Sequence, residues 1–182
     1  MRDIWDRIES QLKSKAVDLF DSLCEGASEA EIAWAESEMK CKLPDDFKQS
    51  HLIHDGADGC GLLNYWDFLS LNEIVAQWKS LKQCLDRGFF DVAEGEPSGP
   101  ILSDWWNRKW IPITAGGNGD YYCMDLAPSD SGQVGQVLLW VHDDPARKLV
   151  ARSYRDWWER FAVALESGQL ELDEEGALAP RA

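Results

Sequence analysis

Three short apolar segments follow one another so closely that they constrain the fold more than any other part of the chain. They are Trp110–Thr114, Tyr121–Leu126 and Gln136–Val141, and their aromatic and β-branched residues favour strands. The connections between them are rich in turn residues and too short to hold a crossover helix. The sequence therefore predicts a central, mostly antiparallel sheet, with Lys148–Ala151 as a candidate fourth strand.

Helical periodicity lies on both sides of these strand segments. Apolar residues recur every three or four positions through residues 1–25, which predicts a long amphipathic first helix. Four more helices are predicted from residue types that commonly begin one. Their predicted starts are Ser28, Pro44, Asn72 and Ser153. In the last of them Trp157, Phe161 and Leu165 are expected to face inward, and the helix is expected to end at Gly168.

The length and the order of these segments indicate a single domain. A chain of 182 residues supports one well-buried core, and neither a repeat nor a linker divides it. The predicted fold class is α+β, with the central sheet flanked by N-terminal helices and a C-terminal helix within residues 1–168. Residues 61–71 are expected to add a strand or two, and residues 91–104 to form a loop. Residues 169–182 are expected to form an acidic, frayed tail.

The charge distribution excludes some classes of partner. The chain has 33 acidic and 18 basic residues, a net charge of −15. From Trp110 to Asp144 it contains five aspartates and no lysine or arginine. Such a surface repels nucleic acids and anionic membranes, and it attracts basic proteins. Because the chain shows neither an apolar span of roughly 18 residues nor a signal-peptide pattern, a cytoplasmic protein without membrane association is predicted.

Several patterns imitate catalytic or ligand sites, and each has a simpler interpretation. A strand, rather than a helix, is predicted after the glycine cluster Gly116–Asp120, which favours a turn over a phosphate-binding loop. His51, His54 and Asp55, with Cys60 as a further ligand, lack a second ligand pair, so packing at a helix end is favoured over a metal site. The predicted protein therefore has no metal and no cofactor.

Catalysis also lacks a recognisable motif. The chain contains no serine in a nucleophile elbow, and its five cysteines form no CxxC pair. Adjacent residues such as His142 and Asp143 point to opposite sides of a strand, so a polar turn is favoured over a catalytic pair. Hydrolysis of a glycosidic bond by a pair of carboxylates stays an open alternative, because the many acidic residues offer many possible pairs. The prediction is that the protein is not an enzyme.

An ordered set of motifs resembles a known family. Its first half is Gly26–Ile32, Leu43–Lys48 and His54-Asp55-Gly56; its second half is Trp110–Ile113, Gly116-Gly117 with Asp120, Asp125-Leu126 and Gly135–Val137. Together, from Trp5 to Gly168, they resemble the SUKH superfamily, and within it the fungal cell-wall-assembly regulator (Smi/Knr-like) family. The resemblance implies an α+β fold, a protein-binding role, and fold-defining positions at Trp110, Pro112, Gly117, Asp120 and Asp125.

Two functional hypotheses follow from the resemblance and the charge. The first is an immunity-type inhibitor that neutralises a basic toxin domain, such as a nuclease, of a polymorphic or contact-dependent toxin system. The alternative is a regulatory or scaffold protein that binds an endogenous partner in cell-wall or signalling processes, and an enzyme is a distant third. Aspartates in turn or loop contexts are the predicted partner-binding residues: Asp55, Asp58, Asp104, Asp120, Asp143 and Asp144.

Overall fold

The computed structural model describes residues 1–59, 61–91 and 94–181, which form six α-helices and nine strands. The helices are α1 (Arg2–Lys15), α2 (Val17–Asp21), α3 (Glu29–Met39), α4 (Asp45–His51), α5 (Leu71–Asp86) and α6 (Tyr154–Glu166). The strands are β1 (Trp66–Phe68), β2 (Glu96–Ser98), β3 (Trp110–Pro112), β4 (Thr114–Gly116), β5 (Tyr121–Asp125), β6 (Gln136–Trp140), β7 (Ala146–Ala151), β8 (Leu170–Leu172) and β9 (Leu178–Pro180). None of the described helices is long and apolar enough to cross a bilayer.

The central sheet has five strands in the order β2-β7-β6-β5-β3. The pairs β3–β5, β5–β6 and β6–β7 are antiparallel, as the short connections predicted, and β2 pairs with β7 in parallel. The strand predicted at residues 110–114 divides at Ile113, because β4 leaves the central sheet to pair with β1. The loop expected at residues 91–104 contains β2, whose exposed Glu-Pro-Ser sequence gives no apolar strand pattern.

Adjacent tyrosines show how the helices cover this sheet. Tyr121 donates a hydrogen bond through its hydroxyl to Oε1 of Gln77 in α5, at 2.8 Å. The ring of Tyr122 lies 6.0 Å from the ring of Trp157 in α6. Because neighbouring residues of a strand point to opposite faces, α5 and α6 cover opposite faces of the sheet. The predicted α+β class, with helices flanking a central sheet, is confirmed.

Helix starts follow local hydrogen bonding, and one predicted start was wrong. Capping boxes begin α3 at Ser28 and α5 at Ser70. The predicted cap of α5 was Asn72, but Glu73 lies three residues after Ser70 and accepts a hydrogen bond from the Ser70 amide at 2.8 Å. Ser153 caps α6 by accepting from the amide of Asp156 at 3.0 Å, as predicted.

The helices at both ends of the chain differ from the sequence prediction. The first helix ends at Lys15 because Ala16 adopts non-helical φ and ψ angles of −151° and 61°, and α2 begins directly after it. The residues of α6 that are fully buried are Tyr154, Trp158, Ala162 and Leu165. Trp157 and Phe161, which were expected to face inward, are only half-buried and lie beside that buried row.

The predicted frayed tail was also wrong, because residues 170–180 form an antiparallel hairpin of β8 and β9. Leu178 is 4% exposed and belongs to the hydrophobic core. Its amide donates to the carbonyl oxygen of Gly61 at 2.8 Å, which ties the hairpin to the loop before β1. Glu171, Glu174 and Glu175 are exposed, and this acidic composition concealed the two buried apolar positions, Ala177 and Leu178.

The positions expected to define the fold differ in their surroundings. Trp110 is fully buried, and Pro112 is buried on the same strand. The Asp125 carboxylate is also fully buried and accepts from Nε2 of Gln136 at 2.9 Å, and burial raises the pKa of Asp125. Gly117 is different, because a Cβ there would meet nothing and its φ is not positive. The glycine requirement of this turn lies at Gly119, where φ is +94°.

Replacing Trp110 with alanine should lower the free energy of unfolding by about 3–5 kcal/mol, the cost of emptying a buried aromatic site. Trp34 is 38% exposed, so Trp34→Ala is the matched control and should cost less than about 1 kcal/mol. Denaturant unfolding of both variants measures the difference. Equal costs would contradict the assignment of Trp110 to the core.

The burial of His51 predicts a pH dependence of stability. Its Nδ1 lies 2.9 Å from Oδ1 of Asp55, yet burial dominates and lowers the pKa of His51. In the unfolded chain histidine has a pKa of about 6.5, so the unfolded chain binds the proton more readily than the folded one. The free energy of unfolding therefore falls as the pH drops below that value. Denaturant unfolding at pH 7.5 and 5.5 should show this loss in the wild type and in His142→Gln, and less of it in His51→Gln. If His51→Gln lost as much free energy of unfolding between pH 7.5 and 5.5 as the wild type does, His51 would not be the source of the pH dependence.

Candidate protein-interaction surface

The six aspartates predicted to bind a partner fall into two groups. Asp58, Asp104, Asp143 and Asp144 are exposed to solvent. Asp55 and Asp120 are turned inward, and their side chains are engaged by neighbouring parts of the chain. Four of the predicted positions therefore lie on an accessible surface, and two do not.

Asp55 and Asp120 hold loops in place. Oδ1 of Asp55 accepts from the amide of Leu71 at 2.9 Å, in the first turn of α5, and also contacts His51. Oδ1 of Asp120 accepts from the amide of His142 at 2.9 Å and lies 2.8 Å from its Nδ1. Each carboxylate joins segments far apart in sequence. The sequence alone could not distinguish an aspartate that accepts hydrogen bonds within the fold from one that is exposed to solvent, because both occur in turns.

Three of the exposed aspartates come together at one end of the central sheet. Glu94 bridges to Asp104, and Glu96 pairs with Ala146 directly after the turn that carries Asp143 and Asp144. The carboxylates of Glu94, Glu96, Asp104, Asp143 and Asp144 form what is here termed the acidic edge. Asp58 lies elsewhere, in the segment whose Ala57 bridges to Leu23.

A buried arginine organises the backbone of the acidic edge. The guanidinium of Arg147 donates to the carbonyl oxygens of Trp105, Asp144 and Ala146 at distances from 2.5 to 3.2 Å. It also lies over the ring of Trp105, 4.9 Å from its centroid. Burial lowers the pKa of Arg147 to about 10, so it stays charged at neutral pH. Among the described residues its guanidinium hydrogen-bonds to backbone carbonyl oxygens rather than to a carboxylate, and its charge still attracts that of Asp144.

The histidines considered as metal ligands point to different partners. His51 contacts Asp55, whereas His54 contacts the carbonyl oxygen of Cys24 at 3.0 Å and Oε1 of Glu9 at 3.2 Å. In residues 1–59, 61–91 and 94–181, no group of three acidic, histidine or cysteine side chains is arranged to hold a metal. Cys60, the further candidate ligand, lies outside the described residues.

The structure adds a feature that the sequence interpretation missed, an apolar pocket of about 150 Å³ between α6, β5 and the C-terminal hairpin. This aromatic pocket is lined chiefly by Tyr122, Trp157, Trp158, Phe161, Leu170 and Leu178. Trp158 is fully buried, whereas the other three aromatic side chains are only half-buried. The signal in the sequence was the pairing of adjacent aromatics, Tyr121-Tyr122 and Trp157-Trp158, because neighbouring side chains point in different directions and the two rings of a pair cannot fill the same site.

The backbone beside the aromatic pocket is strained. Asn64, which lines the pocket, and Tyr65 have φ angles of 53° and 65°, the left-handed region that non-glycine residues rarely adopt. The Tyr65 hydroxyl donates to the carboxylate of Asp173 in the hairpin turn. This contact joins the segment to the acidic turn of the hairpin whose Leu170 and Leu178 line the pocket. Residues 64–65 and this turn, residues 173–177, are here termed the pocket mouth. Strained residues held in this way cluster at functional sites.

Comparison with known families decides what kind of protein this is. The model of the SMI1 / KNR4 family (SUKH-1) matches residues 26–160, which is most of the chain. The chain belongs to the SMI1 / KNR4 family. The family resemblance drawn from the ordered motifs is confirmed.

Curated relatives of this SMI1 / KNR4 family chain align along nearly all of it. It is 30% identical to the cell wall biosynthesis/cell cycle regulator smi1 of Schizosaccharomyces pombe, over 94% of this chain and 37% of that protein. Its identity to the glucan synthesis regulatory protein of Neurospora crassa is 27%, over 94% of this chain and 39% of that protein. Its identity to the cell wall assembly regulator SMI1 of Saccharomyces cerevisiae is 21%, over 90% of this chain and 40% of that protein. The chain thus spans about two fifths of the length of these relatives.

These relatives correct the leading functional hypothesis. A toxin-neutralising immunity protein was predicted, but the proteins that align with the SMI1 / KNR4 family chain are named as regulators of the cell wall and of glucan synthesis. The physical reason for the error is that an acidic surface attracts any basic partner, so charge alone could not distinguish a toxin from an endogenous protein. The regulatory alternative is the better supported one.

The Asp120–His142 contact predicts a measurable titration shift. The Asp120 carboxylate stabilises the charged imidazole and raises the pKa of His142 above its ordinary value of 6.5. Asp120→Asn removes this charge and should return the pKa of His142 toward that value, as followed by the NMR shifts of its ring protons. Asp143 lies 4.0 Å from the other ring nitrogen, so Asp143→Asn is the control and should change the pKa less. A larger shift in the control would contradict the assignment.

Proposed function

We propose that this chain is a regulatory protein-binding domain that acts on an endogenous partner in cell-wall assembly or signalling, and that it does so without catalysis. The observation that carries the proposal is its alignment, over 94% of its length, with named cell-wall and glucan-synthesis regulators. The proposed place of action is the cytoplasm.

The thiols of the chain support binding over covalent chemistry. Burial raises the pKa of Cys24, Cys41 and Cys123, and Cys123 is fully buried. A raised pKa keeps a thiol protonated at neutral pH and therefore weakly nucleophilic. The pKa shifts of these cysteines are thus opposite to those that activate a catalytic thiol.

The acidic edge is the proposed surface that attracts a basic partner. Its carboxylates are exposed, and the buried guanidinium of Arg147 beneath them is engaged by carbonyl oxygens. Exposed charges of one sign accelerate the encounter with an oppositely charged protein. Salt weakens this attraction, because at physiological ionic strength exposed charges more than about 8 Å apart are largely screened from each other. The partner-binding assignment accordingly covers Asp104, Asp143 and Asp144 on this edge, with Asp58 as a separate exposed position.

Domain replacement tests the proposed function. The aligned segment of the Schizosaccharomyces pombe regulator would be exchanged for this chain, and glucan incorporation and wall integrity would be measured in cells that lack the native gene. The proposal expects substantial recovery relative to the same protein with the segment deleted. Cells indistinguishable from the deletion, at matched protein levels, would reject it.

Charge reversal tests the acidic edge. In the triple variant Asp104→Lys, Asp143→Lys, Asp144→Lys, association with a protein partner recovered from the complemented cells should slow several-fold at low salt, because electrostatic attraction is lost. The wild-type association rate should fall toward that of the variant as salt rises. A triple lysine variant at Asp21, Glu25 and Asp130, which are also exposed and lie outside the assigned positions, controls for net charge. An equal slowing in that control would assign the effect to the overall charge instead.

A further inference from the structure

We infer that the aromatic pocket binds a proline-containing segment of the partner, flanked by lysine or arginine and held in an extended polyproline II conformation. This inference rests on the proposed function, since it names the chemistry by which such a domain would recognise its partner. It concerns a surface distinct from the acidic edge.

The size of the pocket restricts what it can hold. A volume of about 150 Å³ corresponds to roughly five water molecules at about 30 Å³ each, which suits a prolyl ring or a small aliphatic side chain. A docking helix, about 10 Å across with its side chains, requires a longer groove. An extended segment that inserts one or two side chains therefore fits this pocket better than a helix does.

The rings around the pocket offer stacking surfaces. Tyr122 and Trp157, which line the pocket, lie 6.0 Å apart between ring centroids. Trp66, which is not among the lining residues, lies 4.6 Å from Tyr122. All three side chains are half-buried, so each leaves part of its surface accessible. Each separation is shorter than one polyproline II turn of about 9 Å, so one turn of a ligand can contact more than one ring. Aromatic-lined grooves of this kind recognise proline-rich segments because such segments lose little entropy on binding.

The pocket mouth is held in place before any partner binds. The left-handed conformations of Asn64 and Tyr65 are secured by the hydrogen bond from Tyr65 to Asp173, and the hairpin is tied at Leu178 to Gly61. A rigid surface binds a rigid ligand with a small ordering cost. This preorganisation matches a polyproline II ligand better than a segment that folds on contact.

The charge at the mouth identifies the flanking residues of the ligand. The hairpin turn carries Asp173, Glu174 and Glu175, and the one base of residues 168–182, Arg181, lies 3.3 Å from Glu171. Lysine or arginine beside the proline would face this turn. A second copy of the chain is the less suitable occupant, because its net charge of −15 repels the same surface.

Selection from a phage-displayed library of random dodecamer peptides on the purified chain tests the inference. The expected result is enrichment of peptides that combine proline with lysine or arginine, and that bind more weakly as salt rises. Synthetic versions of the enriched peptides would then be measured by fluorescence anisotropy against variants of the chain. Failure to enrich any peptide, or enrichment of peptides without proline or without basic residues, would overturn the inference.

Two kinds of variant keep the test independent of folding. Trp157→Ala removes a pocket wall and should weaken binding at least about tenfold, as for an interface hot spot. The double variant Glu174→Lys, Glu175→Lys leaves every pocket ring intact, and it should weaken binding similarly at low salt and less at high salt. Glu25→Lys with Asp130→Lys makes the same change in net charge outside the pocket and its mouth, and it should bind like the wild type. Peptides that bind all variants equally would place the contact elsewhere.

Domain replacement separates this inference from the function on which it rests. If the exchanged chain restores glucan incorporation but the glutamate double variant does so equally and no proline-containing peptide is selected, the pocket assignment fails and the regulatory function stands. If the peptides bind as expected but the wild-type chain restores nothing, the regulatory function fails and the ligand chemistry of the pocket stands.

Discussion

The contact between Trp5, Phe68 and Trp158 is the interaction on which the rest of the structure depends. The ring of Trp158 lies 4.5 Å from that of Trp5 and 5.0 Å from that of Phe68, and all three side chains are almost completely buried. They come from α1, β1 and α6, so one aromatic cluster joins the beginning, the middle and the end of the chain. Trp158 is also the buried wall of the aromatic pocket. The position of that surface is thus set by the core itself.

Much of this fold was predictable because its local signals are strong. The short connections after β3 and β5 specified antiparallel neighbours, and Ser28 and Ser153 specified helix starts that the structure confirms. The failures occurred where distant contacts outweigh local preference. Ala16 and Leu178 are both buried in the core, beside residues far away in the sequence, and no pattern within a few positions of either one predicts the helix end or the burial.

The candidate surfaces were predictable to a smaller extent. Exposure of Asp143 and Asp144 follows from their place in a turn, whereas the inward orientation of Asp120 depends on His142, which the fold brings within hydrogen-bonding distance across 22 positions. The pocket was missed because tryptophan is most often assigned to the core, and Trp157 differs from Trp158 only in its direction around the helix. Family membership came from the order of motifs, which identifies a lineage without naming a partner.

The two outer strands of the central sheet, β2 and β3, each contain a proline, at Pro97 and Pro112. Proline has no amide hydrogen, so it interrupts the row of donors that a further strand would require. The hairpin strand β9 likewise ends with Pro180. Strand addition, whether by a partner or by another copy in a growing aggregate, is therefore disfavoured at each of these places. A sheet bordered in this way resists edge-to-edge aggregation, and it leaves the side chains, rather than the strand backbone, as the groups that another protein could contact.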